Sequence, residues 1–423
     1  MLTKCPSLLL PWSDRASISS NLHFIFSVLV AFLLIVDIKL CSIATALLFL
    51  NWFYGKGYLQ LIHSIKKEWT GFLLVFFFLL HVVGLLYSQN LKYGFSDIER
   101  KLSLLIIPLV LLSKPLTISQ RDFSIMAFIS FALLLSCIGL VRGLCHYQDI
   151  ASNHGPEHLI THFADIHRVY FSMYLLFCYL ALFYLQSAYA WKGMKTGAWI
   201  WAAAFLLILF VFIMASRMML ILMIVSSAML LFYFTVIKNK QYIKALVFCV
   251  VGLVLLSVVY MKVGYVRNFM GQLTEKLDAG QTEEVNSVNI RVVKYRCALQ
   301  GIEQNWLWGV GTGDIQDVLN ALYLKNGFHK GYEVNMDAHN QYLQTWLAQG
   351  LPGLLLLLAF LFLNFKKGIA ERNYLVLFVL CIFTVCSLSE SLLTTQKGVV
   401  FFALFFPLTY YSNAALLDRH IKS

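Results

Sequence analysis

The stretch Asp337-Ala-His339-Asn-Gln-Tyr-Leu-Gln344 joins a long hydrophilic segment to an apolar segment that follows at once. An apolar run of about 20 residues is long enough to cross a membrane as a helix. The stretch therefore places a titratable histidine at the surface of a membrane. Ionisable groups at a membrane edge are costly and usually serve a function.

The composition of the whole chain is that of a membrane protein. The 423 residues are 60% hydrophobic and only 13% charged, and the mean hydropathy is +0.73. Soluble domains carry about 25% charged residues, so a soluble fold is excluded. The net charge of +12 does not indicate nucleic-acid binding, because the positive residues lie in short loops between apolar runs. That pattern is typical of membrane proteins with positive cytoplasmic loops.

The apolar runs predict an all-α polytopic membrane protein with about twelve transmembrane helices and one long external loop. The predicted spans are 21–37, 39–54, 70–87, 102–113, 123–144, 169–187, 198–215, 217–237, 242–261, 341–363, 373–389 and 398–415. They divide the chain into a transmembrane region at 1–262, a periplasmic loop with amphipathic helices at 263–340, and a second transmembrane region at 341–423. Lys and Arg in alternate short loops place both termini in the cytoplasm.

Cysteines and histidines leave two alternatives open. Most of the nine cysteines lie inside apolar runs and are interpreted as small core residues. Cys145 and Cys297 could both face an oxidising compartment, so a disulfide between them is considered. The external loop 145–168 contains His146, His154, His158, His162 and His167. Because zinc sites usually draw ligands from more than one element, with a carboxylate or cysteine nearby, we favour a polar loop and predict no metal site.

Three basic residues are candidates for a functional site. Arg217 interrupts the apolar run 198–237 and marks a turn at the outer membrane face, where a guanidinium binds either lipid headgroups or a substrate phosphate. Arg291 opens a helix with apolar residues at positions 292, 295, 299 and 302, either as a surface helix or as a second phosphate-binding cation. His339 is either an interfacial hydrogen-bonding group or a proton acceptor at neutral pH.

Several of these motifs together resemble the O-antigen ligase family, which includes lipopolysaccharide O-antigen ligases, O-antigen polymerases and bacterial protein O-oligosaccharyltransferases. The resemblance covers the span pair around Arg217 and then about residues 285–365. The motifs that carry it are Ser216-Arg217 between two spans, Arg291 ahead of an aromatic residue, Gly309-Val-Gly311-x-Gly313, and His339-Asn340-x-Tyr342 ahead of Gly350 and Gly353. Two positions depart from the family: Tyr295 stands where a tryptophan is common, and Trp306 where a proline often precedes the glycine segment.

The resemblance implies a GT-C-type glycosyltransferase fold, and transfer of a polysaccharide from undecaprenyl diphosphate to a hydroxyl of the lipid A core oligosaccharide. The reaction would take place on the periplasmic face of the bacterial inner membrane. His339 matches the catalytic histidine of the family, and Arg217 and Arg291 match the arginines that hold the donor diphosphate. Further candidate site residues are Arg168, Arg296, Asn340, Tyr342, Gly309, Gly311 and Glu390.

The chemistry expected of these residues needs no cofactor. Two arginines would neutralise the leaving diphosphate, and His339 would take the proton of the attacking hydroxyl, so a single displacement without a metal inverts the anomeric carbon. The expected partners are the lipid-linked glycan, the lipid A core and membrane lipids. The alternatives are a polymerase that accepts a second lipid-linked glycan, a protein O-oligosaccharyltransferase, and a polysaccharide transporter, which would carry charges in mid-span.

Overall fold

The computed structural model describes residues 8–146, 166–189, 194–214, 216–232 and 287–413. All the regular structure within these ranges is helical, which confirms the predicted all-α class. The α-helices are α1 (Arg15–Val36), α2 (Ile38–Tyr54), α3 (Leu61–Lys67), α4 (Trp69–Leu85), α5 (Leu91–Lys101), α6 (Ser103–Ser113), α7 (Ile118–Cys145), α8 (Arg168–Tyr189), α9 (Met194–Ile213), α10 (Arg217–Phe232), α11 (Ser287–Asn305), α12 (Ile315–Lys325), α13 (His329–Glu333), α14 (Gln341–Ala370), α15 (Tyr374–Cys386) and α16 (Gln396–Thr409). Short 3-10 helices lie at Gly57–Gln60 and Leu392–Thr394.

The predicted spans overlap these helices, apart from the span at 242–261, which lies outside the described residues. Among the described residues, four helices are long and apolar enough to cross a membrane: Arg15–Val36, Ile118–Cys145, Arg168–Ala188 and Gln341–Ala370. The bent pair Ile38–Tyr54 and Gly57–Lys67 is a fifth if it forms one span. Shorter apolar helices are Trp69–Leu85, Ala198–Ile213, Met218–Leu230, Tyr374–Cys386 and Gln396–Thr409. The chain is a multi-pass membrane protein, while the total of about twelve spans remains a prediction from apolar length.

The first two helices form a hairpin with one residue between them. Asp37 ends α1 by donating its backbone N–H to Leu33 O at 2.9 Å. Its carboxylate then accepts hydrogen bonds from the backbone N–H groups of Lys39 and Leu40, at 2.7 and 3.2 Å. An aspartate in this N-cap position satisfies N–H groups that have no partner inside the helix. The short turn expected from the sequence is confirmed.

The described residues bury two apolar clusters. The larger one runs through the membrane helices, where α16 contributes Phe401, Phe402, Phe405 and Phe406. The smaller one joins α11, α12 and Phe328, which directly precedes α13, to the first turns of α14 through residues such as Ile302, Leu319, Tyr323 and Leu347. The loop helices α11–α13 are therefore packed against the end of α14 at which His339 lies.

The glycine segment 309–313 attaches the loop helices to α14. Val310 and Gly311 donate their backbone N–H groups to Leu347 O and Ala348 O, both at 2.9 Å. Gly309 and Gly311 have φ values of +72° and +92°, which side chains rarely permit. A Cβ on Gly309 would lie 2.4 Å from Ala348 O. Glycine at these positions therefore allows the backbone to approach α14 closely.

The buried side of helix α11 only partly follows the apolar stripe at positions 292, 295, 299 and 302. Ile302 of the stripe is buried, but Leu299 is 44% exposed, whereas Lys294 is only 2% exposed. Cys297, Ala298 and Ile302 form the buried side together with Lys294. The helix packs against α12 and α14, and this packing selects the buried face.

The cysteine and histidine alternatives are decided only in part. Cys145 and Cys297 are both free thiols, so the disulfide considered between them is not formed; Cys145 is exposed and Cys297 is buried. In the histidine-rich loop, residues 147–165 lie outside the described ranges. No group of three or more potential metal-ligating side chains occurs among the residues that the structure does describe.

Candidate active site

His339 is held by the carboxylate of Asp337. Its Nδ1 lies 2.7 Å from Asp337 Oδ1, and its backbone N–H donates to the same oxygen at 3.0 Å. A carboxylate only accepts hydrogen bonds, so Nδ1 carries the proton and Nε2 is left as the acceptor. His339 also has a φ of +50°, an uncommon conformation for a residue with a side chain, and such strain often accompanies functional positions. The imidazole is therefore fixed in the tautomer that a general base needs.

Glu390 lies between this histidine and an arginine. Its Oε2 is 3.8 Å from His339 Nε2, and its Oε1 is 3.5 Å from Arg291 Nη2. Only 8% of Glu390 is exposed. The structure thus brings together three residues that the sequence placed in different segments: His339, Arg291 and Glu390.

Two further ionisable residues complete this cluster and were missed from the sequence. Asp337 lies in the polar stretch 337–344, but the sequence did not indicate a role for it. Its second oxygen accepts a hydrogen bond from Thr394 Oγ1 at 3.0 Å. Lys294 lies one turn after Arg291 on α11 and is almost fully buried. Asp337 is two residues before His339, and Lys294 is three residues after Arg291. These short spacings were the sequence signals that could have placed both residues near the site.

The electrostatic balance of the cluster shows in the pKa values of its members. Burial would raise the pKa of Asp337, but the hydrogen bond and charge of His339, together with Lys294, lower it overall. Burial raises the pKa of the Glu390 carboxyl, against the opposing effects of His339 and Arg291. Burial also lowers the pKa of Lys294 to about 8, although Asp337 and Glu390 oppose that shift. Asp337 is thus the stable anion of the pair, and Glu390 is the carboxyl that takes up a proton more easily.

Hydrogen bonds attach the turn that carries Glu390 to the start of α14. Gln341 donates its backbone N–H to Ser387 O at 2.8 Å, and its side-chain oxygen accepts from Leu393 N at 2.7 Å. Tyr295 donates its hydroxyl to Leu388 O at 2.8 Å. The turn is therefore held from both α14 and α11, so the position of Glu390 is set by both helices.

Asn340 and Tyr342 have supporting positions. Asn340 is the N-cap of α14, and its side-chain oxygen accepts from the backbone N–H groups of Tyr342 and Leu343 at 2.9 and 3.0 Å. Tyr342 donates its hydroxyl to Thr384 O at 3.0 Å. Both residues fix the helix end that presents His339, and the contacts described here give neither a direct approach to His339 Nε2.

Arg217 lies at the break between two membrane helices, as predicted. Helix α9 ends at Ile213 and α10 begins at Arg217, whose side chain lies outside what the structure describes. Met219, two residues further along α10, shows where this helix begins: its Sδ is 3.7 Å from Sγ of Cys386 on α15. Glu390 N donates to Cys386 O at 2.9 Å. The start of α10 is therefore close to the turn that carries Glu390.

The remaining candidates separate into two groups. Arg168 opens α8 next to the same break, because Ser172 on the next turn lies 3.4 Å from Met214 Sδ. Arg296 is exposed and is five residues from Arg291, which places it about 140° away around α11. Gly309 and Gly311 serve the packing of α14 described above. Arg168 thus lies near the helix break, while Arg296 faces away from the cluster.

These features define a multi-pass membrane protein in which acidic, basic and imidazole groups meet at one end of its helices. Residues 202–358 match the family model described as O-antigen ligase, and this match confirms the family expected from the sequence motifs. The matched range contains Arg217, Arg291 and His339, whereas Glu390 lies beyond it. A comparison with curated proteins found no match. The family supports a glycosyltransferase-type activity in the assembly of O-antigen and related glycans.

Proposed function

We propose that this protein is an O-antigen ligase that transfers a polysaccharide from undecaprenyl diphosphate to a hydroxyl of the lipid A core oligosaccharide. The active site would face the periplasm in the bacterial inner membrane. The observation that carries the proposal is the orientation of His339. Asp337 accepts from Nδ1, and the free Nε2 faces the side of the cluster on which Arg291 lies.

The proposed reaction is a single displacement. His339 Nε2 takes the proton of the acceptor hydroxyl while the hydroxyl oxygen attacks the anomeric carbon of the donor sugar. The bond from that carbon to the diphosphate oxygen breaks, and undecaprenyl diphosphate leaves with the electron pair. Arg291, together with Arg217, stabilises the charge that develops on the leaving group. Attack opposite to the leaving group inverts the anomeric carbon, and the positive charges come from the chain itself.

The position of the cluster supports a lipid-linked donor. His339 directly precedes α14, which is long and apolar enough to cross a membrane, and Arg217 opens the apolar helix α10. A diphosphate anchored in the membrane by a polyprenyl chain would present its charged group at this depth. Guanidinium groups bind phosphate oxygens in bidentate pairs, which suits them to hold such a leaving group.

The test uses a host that lacks its own ligase but makes the lipid-linked O-antigen and the lipid A core. Wild type, Arg217→Ala, Arg291→Ala and His339→Ala are expressed at equal levels, and purified lipopolysaccharide is separated on a gel. We expect a ladder with wild type that is lost in the three variants. His329→Ala and Lys325→Ala are matched controls, because both residues are exposed on the loop helices α13 and α12, and they should keep the ladder.

A different result would point to another family activity. Longer lipid-linked glycans without a ladder would identify a polymerase. Full transfer by His339→Ala at normal expression would remove the histidine from the mechanism and overturn the proposed chemistry.

A further inference from the structure

Glu390 occupies the place that the proposed reaction requires. Its carboxylate reaches toward His339 Nε2 with one oxygen and toward Arg291 with the other. The acceptor hydroxyl must approach His339 Nε2, and the leaving diphosphate must approach Arg291. The reacting atoms and the Glu390 carboxylate therefore compete for the same space.

The contact between Glu390 and Arg291 leaves the guanidinium incompletely satisfied. The distance of 3.5 Å is that of an ion pair and is long for a charge-assisted hydrogen bond. Arg291 Nε is buried and has no hydrogen-bond partner. A buried N–H group without a partner is costly, so the site is better completed by a ligand with several acceptor oxygens. A diphosphate is such a ligand, and a single carboxylate is not.

The charges around Glu390 make it the group that can yield. A bound diphosphate would add negative charge beside two carboxylates, and like charges at close range disfavour the ionised form of one of them. Burial already raises the pKa of Glu390, whereas the pKa of Asp337 is lowered. The groups that act on Glu390 are Arg291, Lys294 and Tyr295 of α11, Asp337 and His339 before α14, Tyr170 of α8 and Cys386 of α15.

We propose that Glu390 takes the place of the donor diphosphate on Arg291 in the ligand-free protein, and that donor binding displaces it as a neutral, protonated carboxyl. The carboxylate then acts as a built-in competitor that pairs with the Arg291 guanidinium until the donor arrives. For each donor molecule that binds, the Glu390 carboxylate takes up one proton from the solvent. This inference rests on the proposed function, because it needs a diphosphate donor.

The test measures the binding of glycan-free undecaprenyl diphosphate to the full chain in lipid nanodiscs. Affinity is compared between wild type and Glu390→Gln, which keeps the shape of the side chain but carries no charge. If one proton is taken up per ligand, the wild-type affinity falls by about tenfold per pH unit relative to the variant once Glu390 is ionised. At lower pH the two affinities should converge. The titration of the ligand itself is common to both proteins and cancels in the ratio.

Two controls identify the outcome. Glu303→Gln removes an exposed carboxylate on the same helix as Arg291 and should behave as wild type. Arg291→Ala should lose binding at every pH. A Glu390→Gln protein that binds more weakly than wild type, with the same dependence on pH, would overturn the inference and leave Glu390 as a residue that merely positions Arg291. A wild-type protein that binds no undecaprenyl diphosphate at any pH would instead overturn the proposed donor itself.

A second measurement does not depend on a variant that folds. Calorimetry of the same binding in two buffers with different ionisation enthalpies reports the number of protons taken up by wild type. We expect about one proton per ligand, once the protons taken up or released by the ligand are subtracted. The absence of any protein-linked proton uptake would overturn the displacement of Glu390.

Discussion

Replacement of Asp337 by asparagine tests the chemistry of the site most directly. Asp337 accepts hydrogen bonds from His339 Nδ1, from the backbone N–H of His339 and from Thr394 Oγ1, at 2.7, 3.0 and 3.0 Å. An asparagine has one acceptor oxygen and one NH2 group, so it cannot accept on both sides. If the NH2 group faces Nδ1, the proton moves to Nε2, and the histidine can no longer take a proton from the acceptor.

The structure also sets the size of the expected effect. A hydrogen bond to a charged group contributes about 1.5–3 kcal/mol, which corresponds to a loss of roughly ten- to a hundredfold in rate at about 1.4 kcal/mol per tenfold. Removal of the base itself, in His339→Ala, should cost more, about 100- to 10,000-fold. We therefore expect the kcat of Asp337→Asn to lie between the kcat of wild type and that of His339→Ala.

The assay is transfer by purified protein in nanodiscs, with lipid-linked glycan as donor and purified lipid A core as acceptor. The donor KM should change little, because the hydrogen bonds of Asp337 are with His339 and Thr394 and not with Arg291. Asp317→Asn is the matched control, since Asp317 is an exposed carboxylate that accepts from Asn90 Nδ2 at 2.7 Å. An unchanged kcat, or a loss confined to the donor KM, would refute the role of Asp337.

Three further predictions follow from neighbouring residues. Lys294→Met removes a cation that lowers the pKa of Asp337, so Asp337 should become protonated at higher pH. The acidic limb of the pH profile of kcat should therefore move to higher pH, and Lys294→Arg should keep the wild-type profile. Gly309→Ala should destabilise the protein by about 2 kcal/mol or more, because of its positive φ and the close approach to Ala348 O; a thermal unfolding midpoint equal to that of wild type would contradict this. Asn340→Ala should lose about 1 kcal/mol of stability through the lost helix cap, and Asn340→Ser should recover most of it in the same thermal assay.

The membrane helices were predictable because their cause is local. A long apolar run has few stable alternatives to a helix in a lipid environment, so run length alone located α1, α7, α8 and α14. The polar octet marked the start of α14 for the same reason: the apolar pattern begins where the polar one ends. The break at Arg217 was also visible, because an arginine in a long apolar run must come to a surface.

The organisation of the candidate site was not predictable in the same way. Lys294 is charged and lies two residues before the exposed Arg296, so no pattern on α11 indicates that it is buried; contacts with α12 and α14 decide this. Glu390 is separated from His339 by a whole membrane hairpin, and sequence distance gave no measure of their separation in space. The tautomer of His339 depends on its contact with Asp337, and the turn that contains both residues has a positive φ at His339 that the sequence does not reveal.

Tyr295 explains how a departure from the family pattern fits the same site. Its hydroxyl lies 2.8 Å from Leu388 O and 3.3 Å from His339 O, so it links α11 to both the turn of Glu390 and the start of α14. Tyr295→Phe keeps the ring but loses this donor, and we expect a loss of about 1 kcal/mol in stability. The same change should lower kcat, because the distance between Glu390 and His339 is no longer fixed from α11.

The tryptophan that is common at this position in the family offers the matched comparison. Its indole N–H is also a donor, so Tyr295→Trp should keep more of the transfer activity and thermal stability than Tyr295→Phe. Both are measured in the nanodisc transfer assay and by thermal unfolding. If Tyr295→Phe equals wild type in both, the hydroxyl is not the link between these elements, and packing of the ring alone holds them together. If Tyr295→Trp is the worse of the two, the larger ring does not fit beside Leu388, and the departure from the family reflects the shape of this turn.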